Sequence, residues 1–206
     1  MNRHIAATAL LAIAMAVPQA WGNSVPATFT FNSPPGNVGD SYTYTSSGIS
    51  VTAWGFDGTS TTSENTPTAL YDNTVGLGLA NDNYNKSGVY EIPINEFVQL
   101  QIPNLASSKV NFEMTDVNTG WLIYGSMTSG ELGTKLLQSG TDSNLDTLVA
   151  SAANYNYIDV IAGADCETVL NQLQITTATP EPTTYMLTGL ALGVLGIAGK
   201  KLRKRG

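Results

Sequence analysis

The sequence predicts an all-β protein: an antiparallel β-sandwich, jelly-roll-like, with an apolar segment at each end of the chain. Three observations predict it. Thr (25), Asn (17) and Ser (16) supply 58 of the 206 residues, with 20 Gly besides. That composition favours strands and turns over long helices. Short runs alternate apolar and polar residues. Turn residues separate these runs at roughly 8–12-residue spacing, without helical pattern between them.

The first element reads as a secretory signal peptide over residues 1–22. Arg3 and His4 form a basic start, residues 5–17 are apolar apart from one Thr, and Pro18 breaks the run. Ala20 and Gly22 place small residues at −3 and −1 of a cleavage site after Gly22. The signal implies the Sec export machinery as a partner. The thirteen residues 5–17 are too few for a membrane span, which needs about 20.

Strands are then expected over residues 27–31, 41–45, 49–54, 75–80, 97–102 and 110–114. Further strands are expected over 121–124, 135–138, 145–150, 157–161 and 169–175. Val110, Phe112 and Met114 alternate cleanly with Asn111 and Glu113. Ile49, Val51 and Ala53 alternate with Ser50, Thr52 and Trp54, which points Trp54 away from the core. Trp121, beside Leu122 and Ile123, reads as core. Turn signals fall at residues 33–37, at Asp57-Gly58, at residues 81–83, at Ser139-Gly140 and at Ala162-Gly163. Val169, Leu170 and Leu173 have helical spacing, but Gln172, Gln174 and Thr176 continue an alternation that favours a strand.

The last element differs in kind. Pro180-Glu181-Pro182 precedes residues 185–199, which carry no charge and four glycines, and Lys200, Lys201, Arg203, Lys204 and Arg205 close the chain. Fifteen helical residues reach about 22 Å, short of a hydrocarbon core of about 30 Å. Snorkelling of Lys200 and Lys201 lengthens the span. The basic tail stays on the cytoplasmic side, and the middle of the chain lies outside the cytoplasm. Pro180 and Pro182 keep the preceding stretch extended and out of the helix, open to a protease.

This ordered set of Pro-Glu-Pro, short Gly-rich apolar helix and basic cluster resembles the PEP-CTERM sorting signal of exported bacterial proteins. The resemblance covers residues 180–206. It implies recognition of Pro180, Glu181 and Pro182 by exosortase, a membrane-embedded cysteine protease. It further implies transient insertion of the helix in the membrane, then release or attachment at the surface of a Gram-negative bacterium that makes exopolysaccharide and biofilm. The segments at residues 48–54, 75–79 and 90–96 are also similar to the bodies of many PEP-CTERM proteins, which implies a sandwich fold.

Between the two ends, residues 23–179 form the expected ectodomain. It holds 15 acidic residues against Lys86, Lys109 and Lys135, a net charge of −12, and contains neither His nor Arg. The chain as a whole carries −7. With no basic surface to displace the counterions condensed on phosphates, the domain is not expected to take nucleic acid as a partner. Without imidazole there is no Ser-His-Asp or Cys-His catalysis, and no ordinary zinc or copper site. Cys166, between Asp165 and Glu167, is a suppressed thiolate and reads as buried.

What remains is oxygen chemistry and aromatic stacking. Asp57, Asp72, Asp82, Glu91, Glu96, Glu113 and Asp116 are candidates for the carboxylate pair of a glycosidase, but turn formers and solvated strand faces are the preferred reading of them. Asp72, Asn73, residues 81–83, Glu91 and Glu96 offer hard oxygens for calcium, although no spacing matches a known calcium loop. Trp54, Tyr71, Tyr84, Trp121, Tyr124, Tyr155 and Tyr157 are the aromatics available to stack on sugar rings, with Trp54, Tyr71 and Tyr84 the expected sugar contacts. The expected function is that of a non-enzymatic surface or matrix protein associated with extracellular polysaccharide. A carbohydrate-active enzyme and a permanently anchored adhesin are the alternatives.

Overall fold

Fifteen strands make up two antiparallel sheets in the computed structural model, which describes residues 26–31, 36–80, 90–115, 120–164 and 167–177, with Glu167 by its backbone alone. These residues belong to one compact unit, Val25–Thr177. The expected signal at residues 1–22, the expected sorting segment at 180–206, and Tyr84, Asp82, Asp116 and Cys166 lie outside the described residues. Among the described residues no helix is long and apolar enough to cross a membrane.

The first sheet is built from β1 (Ala27–Thr30), β2 (Gly36–Gly39), β6 (Leu70–Asp72), β7 (Leu77–Leu79), β8 (Ile92–Pro93), β10 (Ser108–Thr115), β13 (Leu145–Thr147) and β15 (Glu167–Thr177). Its order is β13-β10-β15-β7-β6-β2, with β1 and β8 also bonded to β15. The second sheet holds β3 (Ser41–Ser46), β4 (Ile49–Asp57), β5 (Thr66–Thr68), β9 (Glu96–Gln101), β11 (Trp121–Ser126), β12 (Lys135–Gly140) and β14 (Tyr157–Ala162). Its order is β12-β11-β14-β9-β4-β3, with β5 continuing the edge along β4.

The inner faces of the two sheets share one hydrophobic core. Phe29, Leu70, Leu79, Phe112, Leu173 and Ile175 enter it from the first sheet, and Val51, Val98, Leu100, Trp121, Ile123 and Val160 from the second. Clean alternation in β10 reflects a strand with one buried face, and its burial alternates along Val110, Phe112 and Met114. The helix-like spacing of Val169, Leu170 and Leu173 has a β explanation. Glu113 pairs with Gln172 but Met114 pairs with Leu170, so Asn171 is an extra residue on β15. That bulge reverses the phase and lets Leu170 and Leu173 both face inward.

The sequence-based strands recur, with four differences. Gly36 and Asn37, expected as the end of a turn, instead begin β2, which pairs with Tyr71 and its neighbours. The strands β5, β6 and β8 are three, three and two residues long, too short for alternation to register. The strand expected over residues 75–80 shrinks to Leu77–Leu79, and that over 145–150 to Leu145–Thr147, followed by a 3₁₀ turn at Ala150–Asn154. Gly140 is not a turn residue but ends β12 opposite Trp121. The β3–β4 hairpin closes on Ser47 (φ 49°) and Gly48 (φ 77°). Two left-handed residues in a two-residue loop make the type I′ turn that matches strand twist.

Candidate functional site

The outer face of the second sheet is ordered in three rows by strand register. Phe56 and Phe97 pair in the first row, which also contains Leu122 opposite Ile161. With Leu132 these form a second apolar cluster, separate from the main core. Trp54 pairs with Gln99, Gln99 with Asp159, and Asp159 with Tyr124 in the second row. Thr43, Thr52 and Gln101 form the third, with Tyr157 at its far end.

The segment after β11 folds back over the first two rows, and a polar pair holds it there. Gln99 and Asp159 are both 0% exposed. The Gln99 amide nitrogen donates to Asp159 Oδ1 at 2.8 Å and lies 3.3 Å from the carbonyls of Thr128 and Glu131. The Gln99 amide oxygen accepts from the Gly130 N–H at 2.9 Å, and Asp159 Oδ2 accepts from the Gly133 N–H at 2.7 Å. Asn65 extends the clamp: its Nδ2 donates to the Gly130 carbonyl at 2.8 Å. Burial pushes the Asp159 carboxyl up to about 7, against the opposing effect of the Gln99 and Gly133 hydrogen bonds.

The third row stays open. It forms the floor of a groove of about 560 Å³, walled by the turn at residues 103–106 and by residues 153–157. Ser50, Thr52, Gln101, Asn104 and Asn156 supply hydroxyls and amides, and Tyr155 and Tyr157 supply half-buried rings. Among the described residues no charged side chain lines it. The wall is fixed at Asn104, whose left-handed backbone (φ 54°) turns the chain, and whose carbonyl accepts from the hydroxyls of Ser107 and Ser108. Asn tolerates that conformation better than most residues. Tyr155 lies against Gly125, where a Cβ would run into its ring. Trp54 stands at the border of the groove, its ring 6.0 Å from that of Tyr157 and nearly perpendicular at 77°.

The expected sugar contacts therefore separate. Trp54 points out of the core as its phase requires and joins Tyr157. Tyr71 belongs to the first sheet, where its ring packs 3.8 Å from that of Tyr90. Tyr155 and Tyr157 were legible as aromatic candidates. Gln101, Thr52 and Ser50 carry no motif, and only the pairing register brings them to one row.

The candidate carboxylates Asp57, Asp72, Glu91, Glu96 and Glu113 do not line the groove. Asp72 is buried and accepts from the Tyr44 hydroxyl at 2.8 Å, and burial raises its pKa. Asp57 ends β4 as an exposed residue. Glu113 accepts from Asn171 at 3.2 Å. Glu96 is 2% exposed. Among the described residues no group of three or more His, Cys, Asp or Glu is placed to hold a metal ion. Asn73, expected among calcium oxygens, builds a turn: its Oδ1 accepts from the N–H groups of Val75 and Gly76, and its Nδ2 donates to the Tyr90 carbonyl.

The chain matches no protein-family model, and no curated protein or solved structure matches it.

Proposed function

We propose that this is an exported, non-enzymatic surface or matrix protein whose groove binds a neutral polysaccharide. The observation that carries the reading is the groove's lining. Two half-buried tyrosines stand beside hydroxyl and amide side chains with no charge among them, on a domain of net charge −12. Aromatic faces cover the apolar side of a sugar ring, and hydroxyls and amides exchange hydrogen bonds with its OH groups. An uncharged lining leaves nothing to pair with uronate or sulfate, and the acidic domain repels them.

Export is proposed from the signal-like residues 1–22, and exosortase processing from Pro180, Glu181, Pro182, the apolar residues 185–199 and the basic residues that follow them. Among the described residues the groove holds no carboxylate, which favours binding over glycoside hydrolysis, since that reaction needs two of them across the scissile bond. Titration calorimetry with neutral and acidic polysaccharides tests the binding. Heat with the neutral class, lost in Tyr157→Ala and Gln101→Ala, is expected; equal binding of acidic chains, or an unchanged Tyr157→Ala, refutes it. Intact mass of the protein recovered from the producing cell tests processing, since retention of residues 200–205 in a membrane fraction would leave a permanent anchor instead.

A further inference from the structure

Most sheet edges among the described residues are blunted against pairing with another chain. At the outer edge of the second sheet, β12 carries Lys135 and a register shift opposite Ile123 and Tyr124. The strands β13 and β5 are three residues each, with Pro67 in β5, and β8 has two residues including Pro93. In β2 the register slips between Asn37 and Gly39. Lysine, proline, bulges and shortness are the usual defences of an edge.

The strand β3 has none of them. All six of its residues pair in unbroken register with β4, from Ser41↔Trp54 to Ser46↔Ile49, and among the described residues no strand is hydrogen-bonded to its other edge. Its sequence is Ser-Tyr-Thr-Tyr-Thr-Ser, uncharged throughout. Thr43 and Thr45 lie on the outer face, bonded to the hydroxyls of Thr52 and Ser50 at 3.0 Å each. Tyr42 and Tyr44 lie on the inner face with ring centroids 4.8 Å apart, and Tyr42 is still 36% exposed. A groove of about 270 Å³ runs between β3 and the edge strand β1.

We propose that β3 pairs with β3 of a second copy of this chain, antiparallel about a two-fold axis at Thr43. A continuous sheet requires opposed residues to share a face. Centring on Thr43 meets that rule along the whole strand. Thr43 opposes Thr43, Ser41 opposes Thr45, and Tyr42 opposes Tyr44 of the second copy. Hydroxyls meet hydroxyls on the outer face, and the exposed Tyr42 gains an aromatic cross-strand neighbour on the inner face. Asp40, the charge bordering the strand, falls opposite Ser46 of the second copy and not opposite its own image. The pairing is isologous, so it closes at a dimer. Because each domain carries −12, the dimer strengthens as salt screens the rest of the surface.

Cross-linking of the full chain tests this, with Cys166→Ser as background and the protein in detergent. Thr43→Cys puts two thiols on the axis, within the Cα separation of about 4.4–6.8 Å that a disulfide spans. Thr52→Cys, one strand inward on the same face, is the control. Mild oxidation is expected to link Thr43→Cys into a covalent dimer and leave Thr52→Cys at 21.7 kDa. Sedimentation of the unmodified protein is expected to show a dimer that Thr43→Lys weakens at least tenfold, since it opposes two like charges at the axis. A monomer in sedimentation overturns the proposal. So does failure of Thr43→Cys to link, equal linking of Thr52→Cys, or a dimer indifferent to Thr43→Lys.

Discussion

Asp159 makes the stability of this protein depend on pH in a direction opposite to that of most paired carboxylates. Its side chain is 0% exposed, and burial raises its pKa from 3.8 to about 7. In the unfolded chain the proton leaves near the ordinary value. Between the two values the folded protein holds a proton that the unfolded chain has lost, so stability falls as pH rises through that window. A rise of about three units is worth up to ~4 kcal/mol at 1.36 kcal/mol per unit. For a domain of this size that is a fall in melting temperature of roughly 8–16 °C. Asp159→Asn cannot titrate. Its single carbonyl also serves only one of the two donors, from Gln99 and Gly133, so the variant is the less stable protein in acid. The gap, taken as wild type minus variant, should fall by up to ~4 kcal/mol as pH rises from about 4 to 7, changing sign where the advantage in acid is smaller than that, and stay constant above. Thermal melts of both, followed by tryptophan fluorescence in half-unit steps, measure the gap. A gap that is constant across that range, or that rises with pH, would refute the reasoning.

Gly125→Ala should act on the groove without touching its polar groups. The new methyl meets the Tyr155 ring, so calorimetry should show weakened polysaccharide binding together with a loss of about 1–3 kcal/mol of stability from overpacking. Tyr44→Phe removes the hydrogen bond to Asp72 Oδ1; among the described residues the other oxygen of that carboxyl, Oδ2, accepts none. Denaturant melts should register about 1–3 kcal/mol of destabilisation, because a buried carboxyl loses its donor. Leu173→Ala empties a fully buried site where both sheets meet, and the same melts should lose about 2–5 kcal/mol. Ser47→Asn places a residue suited to the left-handed conformation at the first position of the β3–β4 turn, and should raise stability by a few tenths of a kcal/mol.

Strands with one wet face were plain in the sequence. Val110, Phe112 and Met114 announce β10, and Ile49, Val51 and Ala53 announce β4, since burial on one side alone writes a period of two. Where both faces are covered that period disappears. Phe97, Val98, Gln99 and Leu100 are all buried, because the segment after β11 covers the outer side of β9. The Gln99–Asp159 pair was invisible for the same reason: each residue reads as an ordinary polar position until the register sets one against the other. The groove was half legible. Trp54, Tyr155 and Tyr157 stood out as aromatics, whereas Ser50, Thr52 and Gln101 look like any solvated strand face. Nothing in the local sequence marks Asn171 as an added residue, so the bulge mimicked a helical spacing.

The place of β15 has a consequence for how this chain reaches its folded state. It is the last strand among the described residues, yet β10, β7, β1 and β8 all bond to it, and Ala27, in the first of them, pairs with Ile175. The first and last strands of the domain are therefore neighbours. A chain that emerges from its amino end, whether from a ribosome or through a membrane pore, can close the β3–β4 hairpin early. It cannot assemble the first sheet until residue 177 is free. Such distant pairings fold slowly and leave strand edges exposed meanwhile. The uncharged β3, closed early in its hairpin, is then an edge left open while the first sheet is incomplete.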